Sequence, residues 1–583
     1  MKSRSKLVSI AIVGLLTLTA CSPVSTGTGS AEQTGASVAP PVEKTLRVAI
    51  GAEPVTWDSL ATGGSASPTA GGINNLPSIG MDGMRRLLTG GERINLLAAE
   101  VPDVAKGTWK INPDNSMDMT WKIVPNAKWH DGVPVTSADF VFGVAVHSDP
   151  ESQRNAGGAN LQRLLASATA IDDRTFVAHW SGIAVSADDG TGLDPMPKHI
   201  LESVYKAGRE ELTKSRHFTT EFIGTGPFKL VHREAGQGIE FERFNDYYRG
   251  PAKISHLILQ FIPDPNTMVA NILAGSVDVV LPQGVNVDTA YNLKQRWDQE
   301  GSGHQVLFES RDGIAQWEIM LNPQYARPVN AMTQQPVRQA LLQAIDRQAL
   351  VNEMTLGLSP VAYTVYHPDD PYYPYVKDLL PPQNPQYAYP YDVQKAQQLL
   401  AGAGWIKGPD GVLADQKTGD RFTYQVLTRT GSDPFKQASI VQDYWKAIGV
   451  ALDIHVLTPA ESADNQFIST RTGASFNTAS GSAMYGGRMS SRSIPSEATR
   501  WTGNNRGHFS SPALDSVIAK LESTIDANEQ RSLHRQLLAA STEPVPFLFF
   551  YYEIRPILMV KGVTGPRLVD QVSSGNVWVW DKN

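Results

Sequence analysis

Trp129-His130-Asp131-Gly132-Val133-Pro134-Val135-Thr136-Ser137-Ala138-Asp139-Phe140 (WHDGVPVTSADF) puts a histidine beside an aspartate, with Ser137 close behind. Two readings compete: the edge of a catalytic or metal site, or a turn leading into a helix. Upstream, Met117, Met119, Trp121 and Ile123 alternate with Asp118, Thr120 and Lys122. That period of two marks a strand with one buried face. Asp131-Gly132 supplies a tight turn whose glycine tolerates a positive φ. Thr136 then stands at a helix N-cap, and Asp139 follows at N3 in front of Phe140-Val141-Phe142. The Thr hydroxyl can accept from the N3 amide while the Asp reaches back and favours the positive end of the helix dipole. The spacing predicts strand, turn and capped helix.

The catalytic version lacks partners. None of the 12 histidines lies within two helical turns of another, so no HExxH-like ligand pair exists. There is no Walker loop, no GxSxG elbow and no CxxC. His130 reads as a turn-packing residue, and neither a catalytic residue, a metal site nor a cofactor is expected.

At 583 residues the chain is too long for one hydrophobic core, so two or more lobes are expected. Charged residues make up 19% and hydrophobic ones 41%, an ordinary globular balance. The net charge is -7 with no dense basic run past the first residues, which disfavours nucleic acid as a partner. At the N-terminus, Lys2, Arg4 and Lys6 precede an apolar stretch from Leu7 to Ala20, too short for a typical membrane span. Residues 1–20 read as a signal peptide. Leu18-Thr19-Ala20-Cys21-Ser22 resembles the bacterial lipobox, a resemblance that implies lipidation of Cys21, the only cysteine in the chain. An acyl anchor would contribute roughly 0.8 kcal/mol per buried CH₂. From Cys21 to Lys44 the lipidated residue and a Ser/Thr/Gly/Ala/Pro-rich tether follow, with a random-coil reach of roughly 25 Å.

Thr45-Leu46-Arg47-Val48-Ala49-Ile50 reads as the first strand. Pro336, with Val337, Ala340, Leu341, Ala344 and Ile345 at helical spacing, predicts an amphipathic helix. A second runs from Asp392 through Leu400 to a stop at Gly402 and Gly404. Asp515 to Leu538 carries one long helical pattern, and Val545 to Tyr552 reads as a buried strand. The mixture indicates an α/β class with several sheets.

Several segments together resemble the bacterial extracellular solute-binding proteins of family 5, the receptors of peptide/nickel-type ABC importers. Residues 129–140 look like that family's F-x-D-G-x-P-hydrophobic-T-A-x-D signature. Pro197-Lys198-His199-Ile200-Leu201, Gly224-Thr225-Gly226-Pro227-Phe228, Asn245-Asp246-Tyr247-Tyr248-Arg249-Gly250 and Ala274-Gly275-Ser276-Val277-Asp278 follow in the family's order. So do Asn322, Val337-Arg338-Gln339-Ala340, Ala344-Ile345-Asp346-Arg347 and Ala401-Gly402-Ala403-Gly404-Trp405. The resemblance implies a periplasmic-binding-protein type II fold, with two hinged lobes and an extra subdomain inserted in lobe one. Mapped here, lobe one is residues 45–84 and 221–306, the inserted subdomain 85–220, lobe two 307–556, and 557–583 returns to lobe one. A ligand bridging the lobes would shift an open–closed equilibrium, and the closed form would engage the importer's membrane subunits. No bond is made or broken. The expected protein is a monomer, lipid-anchored on the extracytoplasmic face of the membrane.

Peptide-binding members of the family carry an acidic residue in lobe two that pairs with the ligand's amino group. The corresponding stretch here, Ser475 to Tyr485, has no Asp or Glu. A buried ammonium without a carboxylate is costly, so the ligand is expected to be neutral or anionic at that end. Arg488 and Arg492 are candidate partners for an anion, and Trp317, Tyr485 and Trp501 are candidate walls. Glu318 and Glu53 are the fallback anchors should free-amino peptides bind. Two alternatives stand beside the importer receptor: a transport-inactive envelope lipoprotein acting as scaffold or sensor, and a secreted hydrolase.

Overall fold

The computed structural model describes residues 43–583, apart from 55–56, 58–76, 88–91, 150–163, 191, 283, 430–431, 480, 482–483 and 568–573. Cys21 and the tether up to Val42 lie outside the described residues. Along the chain, β1 (Thr45–Ile50) is followed by a separate group of strands: β2 (Ala98–Glu100), β3 (Trp109–Ile111), β4 (Met117–Ile123), β5 (Leu165–Asp172) and β6 (Thr175–Trp180). These form a five-stranded sheet of their own, β2-β4-β6-β5 with β3 on β4. Helices α1 (Ser137–Ser148) and α2 (Lys198–Ala207) accompany it. Its core gathers Met117, Met119, Trp121, Trp129, Phe140, Phe176 and Trp180.

The rest of the chain builds one larger sheet. It takes β7 (Phe228–Glu234), β8 (Gly238–Arg243), β9 (His256–Phe261) and β10 (Val279–Val280), then the long β11 (Gln305–Ile319). β12 (Thr423–Thr428), β13 (Ala451–Val456), β14 (Ala474–Ala479) and the long β15 (Phe547–Met559) complete it. Over the described residues it has ten strands in the order β13-β12-β14-β11-β15-β10-β1-β9-β8-β7. β11 and β15 pair antiparallel from Gln305↔Met559 to Glu318↔Phe547, with a register break between Ser310 and Ile314. One end of this ribbon pairs with β10, the other with β14. The two strands therefore carry the backbone hydrogen bonding from one half of the molecule into the other. Hydrophobic cores sit on either side of that passage, around Leu46, Phe228 and Leu257 at one end and Trp317, Leu341 and Trp445 at the other.

Helices pack on this sheet as their apolar spacing requires: α3 (Val287–Glu300), α4 (Gln335–Gln343), α5 (Arg347–Thr355), α6 (Val393–Gly402), α7 (Ser432–Ala447), α8 (Pro512–Ser523) and α9 (Ala527–Thr542). The long pattern expected from Asp515 to Leu538 is two helices, not one. Asp526 accepts from the amides of Asn528 and Glu529 and so starts α9. Gln530 turns back to donate to the carbonyls of Leu521 (2.9 Å) and Thr524 (2.6 Å), closing α8. Cap chemistry overrides the apolar period, and Ile525 at the joint is exposed. α4 and α6 match their expected starts, and Asp392 caps α6 by accepting from Lys395. Among the described residues no helix is long and apolar enough to cross a membrane.

Candidate functional site

The opening motif is structural. Asp139 accepts from the Thr136 amide (2.8 Å) and hydroxyl (3.2 Å), the Trp129 indole (3.3 Å) and the Lys198 amide (3.1 Å). It joins the turn to the starts of both α1 and α2. Thr136 and Asp139 form the expected capping box, and the Thr136 hydroxyl also lies against this carboxylate. His130 is buried. Its Nδ1 accepts from the Gly224 amide (3.1 Å) and its Nε2 lies 3.0 Å from the Gly226 carbonyl, so the ring is neutral with its proton on Nε2. Burial pushes its pKa down to about 4. Gly224 itself must be glycine, because a Cβ there would overlap the carbonyl oxygen of Gly80. Two motifs distant in sequence thus clip together with no group left to act on a substrate.

A Ser–His–Asp grouping does occur where β11 breaks register. Ser310 Oγ lies 2.7 Å from His367 Nε2, but His367 Nδ1 accepts from the Asp369 amide (3.0 Å). The proton therefore sits on Nε2 and is donated to the serine oxygen, so the ring does not act as a base toward that hydroxyl. The Asp369 carboxylate, 3.7 Å from Nδ1, does not orient it. This arrangement gives the hydrolase reading no support.

Polar groups converge instead on one face of β11 and β14. Gln316 and Glu318 on β11 stand opposite Asn477 and Ser475 on β14. Trp317 points the other way. It is fully buried against Trp445 and Phe550, and its indole donates to Gln437 (2.8 Å). The expected ligand wall at Trp317 is thus a core residue on the opposite face. Beneath the polar face Glu318, 1% exposed, makes an ion pair with Arg471 (3.3 Å) and accepts from the Gly507 amide (2.9 Å). Arg471 also donates to the carbonyls of Ile468 and Arg506, both at 2.9 Å.

Tyr485 and Arg488 share one turn, Met484–Arg488, held over the sheet where Gln316 donates to Met484 Sδ. Tyr485 lies among Tyr366 and His534, with ring centroids 6.5 and 6.2 Å away. Arg488 is half-buried, and among the described residues its side chain makes no hydrogen bond or ion pair. Burial, and the neighbouring charges of Arg506, Arg429 and Arg471, lower its pKa against the opposing pull of Glu318. Arg506 responds in the same way. Arg492 departs from expectation: its guanidinium is held by both oxygens of Glu522 on α8, at 2.9 and 3.1 Å. Trp501 sits half-buried in a left-handed backbone conformation (φ 59°), its amide bonded to the Ser496 carbonyl (2.8 Å).

Both fallback amine anchors are already engaged. Glu318 is occupied as described, and Glu53 accepts from Arg233 (3.0 Å) and the Gly236 amide (2.8 Å). Arg471, Arg506 and Arg429 were not singled out by sequence reasoning. The available signal was composition: between positions 471 and 506 there are five arginines and one acidic residue, Glu497. Among the described residues no group of three or more His, Cys, Asp or Glu is placed to hold a metal ion.

Comparison with known proteins places this geometry in context. Residues 99–495 match the family model for bacterial extracellular solute-binding proteins, family 5 Middle. The oligopeptide-binding protein AppA of Bacillus subtilis is 25% identical over 80% of this chain and 81% of its own length. A putative ABC transporter peptide-binding protein of Brucella ovis is 31% identical over 53% of this chain and 52% of its own. Among solved structures, NikA from Brucella suis in complex with Fe(III)-EDTA superposes with a TM-score of 0.73 at 16% identity, covering 93% of this chain and all of that one.

Proposed function

The chain belongs to the bacterial extracellular solute-binding proteins, family 5, and from that premise we propose that it captures a solute that is neutral or anionic at its lobe-two end. Capture of a small ligand between two lobes and delivery to an ABC importer go with the family. The lobes we assign are residues 45–84 with 221–306 and 557–583 for lobe one, 85–220 for its inserted subdomain, and 307–556 for lobe two. β11 and β15 link them, so a ligand held by both sides favours the closed form by its extra contacts there.

The observation that carries the ligand's charge is Arg488, a half-buried cation with no partner among the described residues, while Glu318 and Glu53 are both engaged by arginines. An ammonium placed there would meet like charge and no free carboxylate from Glu318 or Glu53, which disfavours it. AppA and the Brucella relative carry peptide-binding names; a peptide remains a fitting ligand here when its amino end is blocked or held away from this face.

Native mass spectrometry of the purified protein tests the reading by identifying what co-purifies. A solute at 100 times its Kd stabilises the fold by about 2.7 kcal/mol, visible as a melting shift. Free-amino di- to pentapeptides are expected to give little shift. Micromolar binding of such peptides, abolished by N-terminal acetylation, overturns the charge assignment.

For the anchor, we propose lipidation at Cys21. Cys21→Ala is expected to release the protein from the membrane fraction without altering its melting temperature. Retention of that variant through a salt wash would place the anchor elsewhere.

A further inference from the structure

Four guanidiniums and one carboxylate crowd the polar end of β11 and β14. Arg471 and Glu318 are paired and buried, so their charges largely cancel. Arg506 spends its hydrogen bonds on neutral oxygens, the Gly503 carbonyl (3.4 Å) and Asn465 Oδ1 (3.1 Å), and keeps its full charge. Arg488 and Arg429 have no side-chain partner among the described residues.

The backbone fixes these groups as neighbours. Arg471 donates to the Arg506 carbonyl, and the Gly507 amide donates to Glu318. Asn505 donates to the Ser490 carbonyl (3.0 Å), and a Cβ on Gly487 would touch Asn504. That brings the Arg488 turn against the Arg506 loop. Arg429 follows directly on the C-terminal end of β12, which runs parallel beside β14 with Leu427 opposite Ser475. Ligands of open α/β sheets gather beyond the carboxyl ends of their strands.

Three uncancelled cations, two of them half-buried, are more than a single carboxylate neutralises. Like charges held together in a partly desolvated place cost stability unless an anion completes them. A phosphomonoester carries close to two charges on three strong acceptor oxygens and suits guanidinium forks bidentately. Resting on the receptor reading above, we propose that Arg488, Arg429 and Arg506 form a subsite for a doubly charged anionic group on the transported solute, a phosphomonoester being its simplest form. The Glu318–Arg471 pair positions the Arg506 loop and makes no ligand contact.

The test uses the full-length protein in detergent. Native mass spectrometry reads the co-purified solute, and melting shifts and titration calorimetry compare phenyl phosphate, phthalate, benzoate and phenol. The expected order is phenyl phosphate or phthalate above benzoate, with phenol inert; which dianion leads separates a phosphate from paired carboxylates. Arg488→Gln should weaken the dianion at least tenfold, and Arg429→Gln, at an exposed position where folding is not at stake, should weaken it several-fold. Arg492→Gln, whose partner is Glu522, should leave it unchanged. Unaltered dianion binding in both Arg488→Gln and Arg429→Gln, or a co-purified solute that is uncharged or cationic, overturns the subsite and leaves the receptor reading standing. Absence of any co-purified solute, with no member of the panel binding, defeats both.

Discussion

At the scale of single residues, Asp139 and His130 do structural work that their chemistry disguises. Asp139 satisfies four donors, so its loss is more than the loss of a cap. Asp139→Ala is expected to cost about 2–4 kcal/mol, against about 1 for a cap alone, with solute affinity unchanged. Calorimetry showing intact melting with lost binding would return the motif to the functional column. His130 is neutral in the folded state, its pKa held down to about 4 by burial, and burial holds His534 at about 4 as well. The unfolded chain binds protons at these histidines near pH 6.5 while the fold does not. Stability is therefore full above pH 6.5 and falls as the pH drops toward 4, by up to about 3 kcal/mol per histidine. Thermal melts from pH 7.5 to 4 should show that slope, and His130→Asn should flatten part of it. An unchanged slope in the variant would show that His130 takes up its proton in the folded chain as well.

Elements are held to one another by side chains that reach past their own helix. The arginines of the Val337-Arg338-Gln339-Ala340 and Ala344-Ile345-Asp346-Arg347 segments illustrate this. Arg338 donates to the carbonyls of Met332 (2.6 Å), Pro544 and Val545, and Arg347 to those of Ala362, Phe549, Ala388 and Tyr389. They stitch α4 and α5 to β15 and its approach, a role that helical spacing alone does not reveal. The joint between α8 and α9 rests on Gln530 in the same way. Gln530→Ala would orphan the two carbonyls it serves and is expected to lower stability by about 1–2 kcal/mol. A denaturant midpoint that does not move would show that Asp526 alone sets the break.

Across the whole molecule, the ion pairs include one between segments on either side of the β11 passage. Lys436 on α7 meets Glu353 on α5 at 3.1 Å and Asp288 on α3 at 3.5 Å. Burial opposes the charge on Lys436, but the two carboxylates outweigh it and raise its pKa. Asp288 precedes the passage and Lys436 follows it, so hinge opening would part them while Lys436 kept Glu353. Asp288→Asn is then expected to weaken solute binding by about 0.2–1 kcal/mol, as fits a partly exposed pair, with the effect fading at high salt. Equal affinity at low salt would show that the pair is indifferent to closure.

What the sequence determined by itself was local or periodic: β1, the alternation of β4, the turn at Gly132, the capped starts of α1 and α6, and the buried run in β15. Each rests on neighbours within a few residues, where sterics, caps and burial period act directly. The missing carboxylate between Ser475 and Tyr485 was legible for the same reason, as a matter of composition in one stretch. Tertiary structure alone decided which face each residue serves. Trp317 and Glu318 are adjacent, yet the pleat sends one into the core and the other to the arginines. Arg488 and Arg492 stand one helical turn apart in sequence, but Glu522, from α8, takes up only the second. Arg429, Arg471 and Arg506 come from separate loops and meet only because the C-terminal end of β12 lies beside the start of β14 and Arg471 bonds to the Arg506 carbonyl. Charge acts through space and the chain folds through distance, so the site became visible only when both were present.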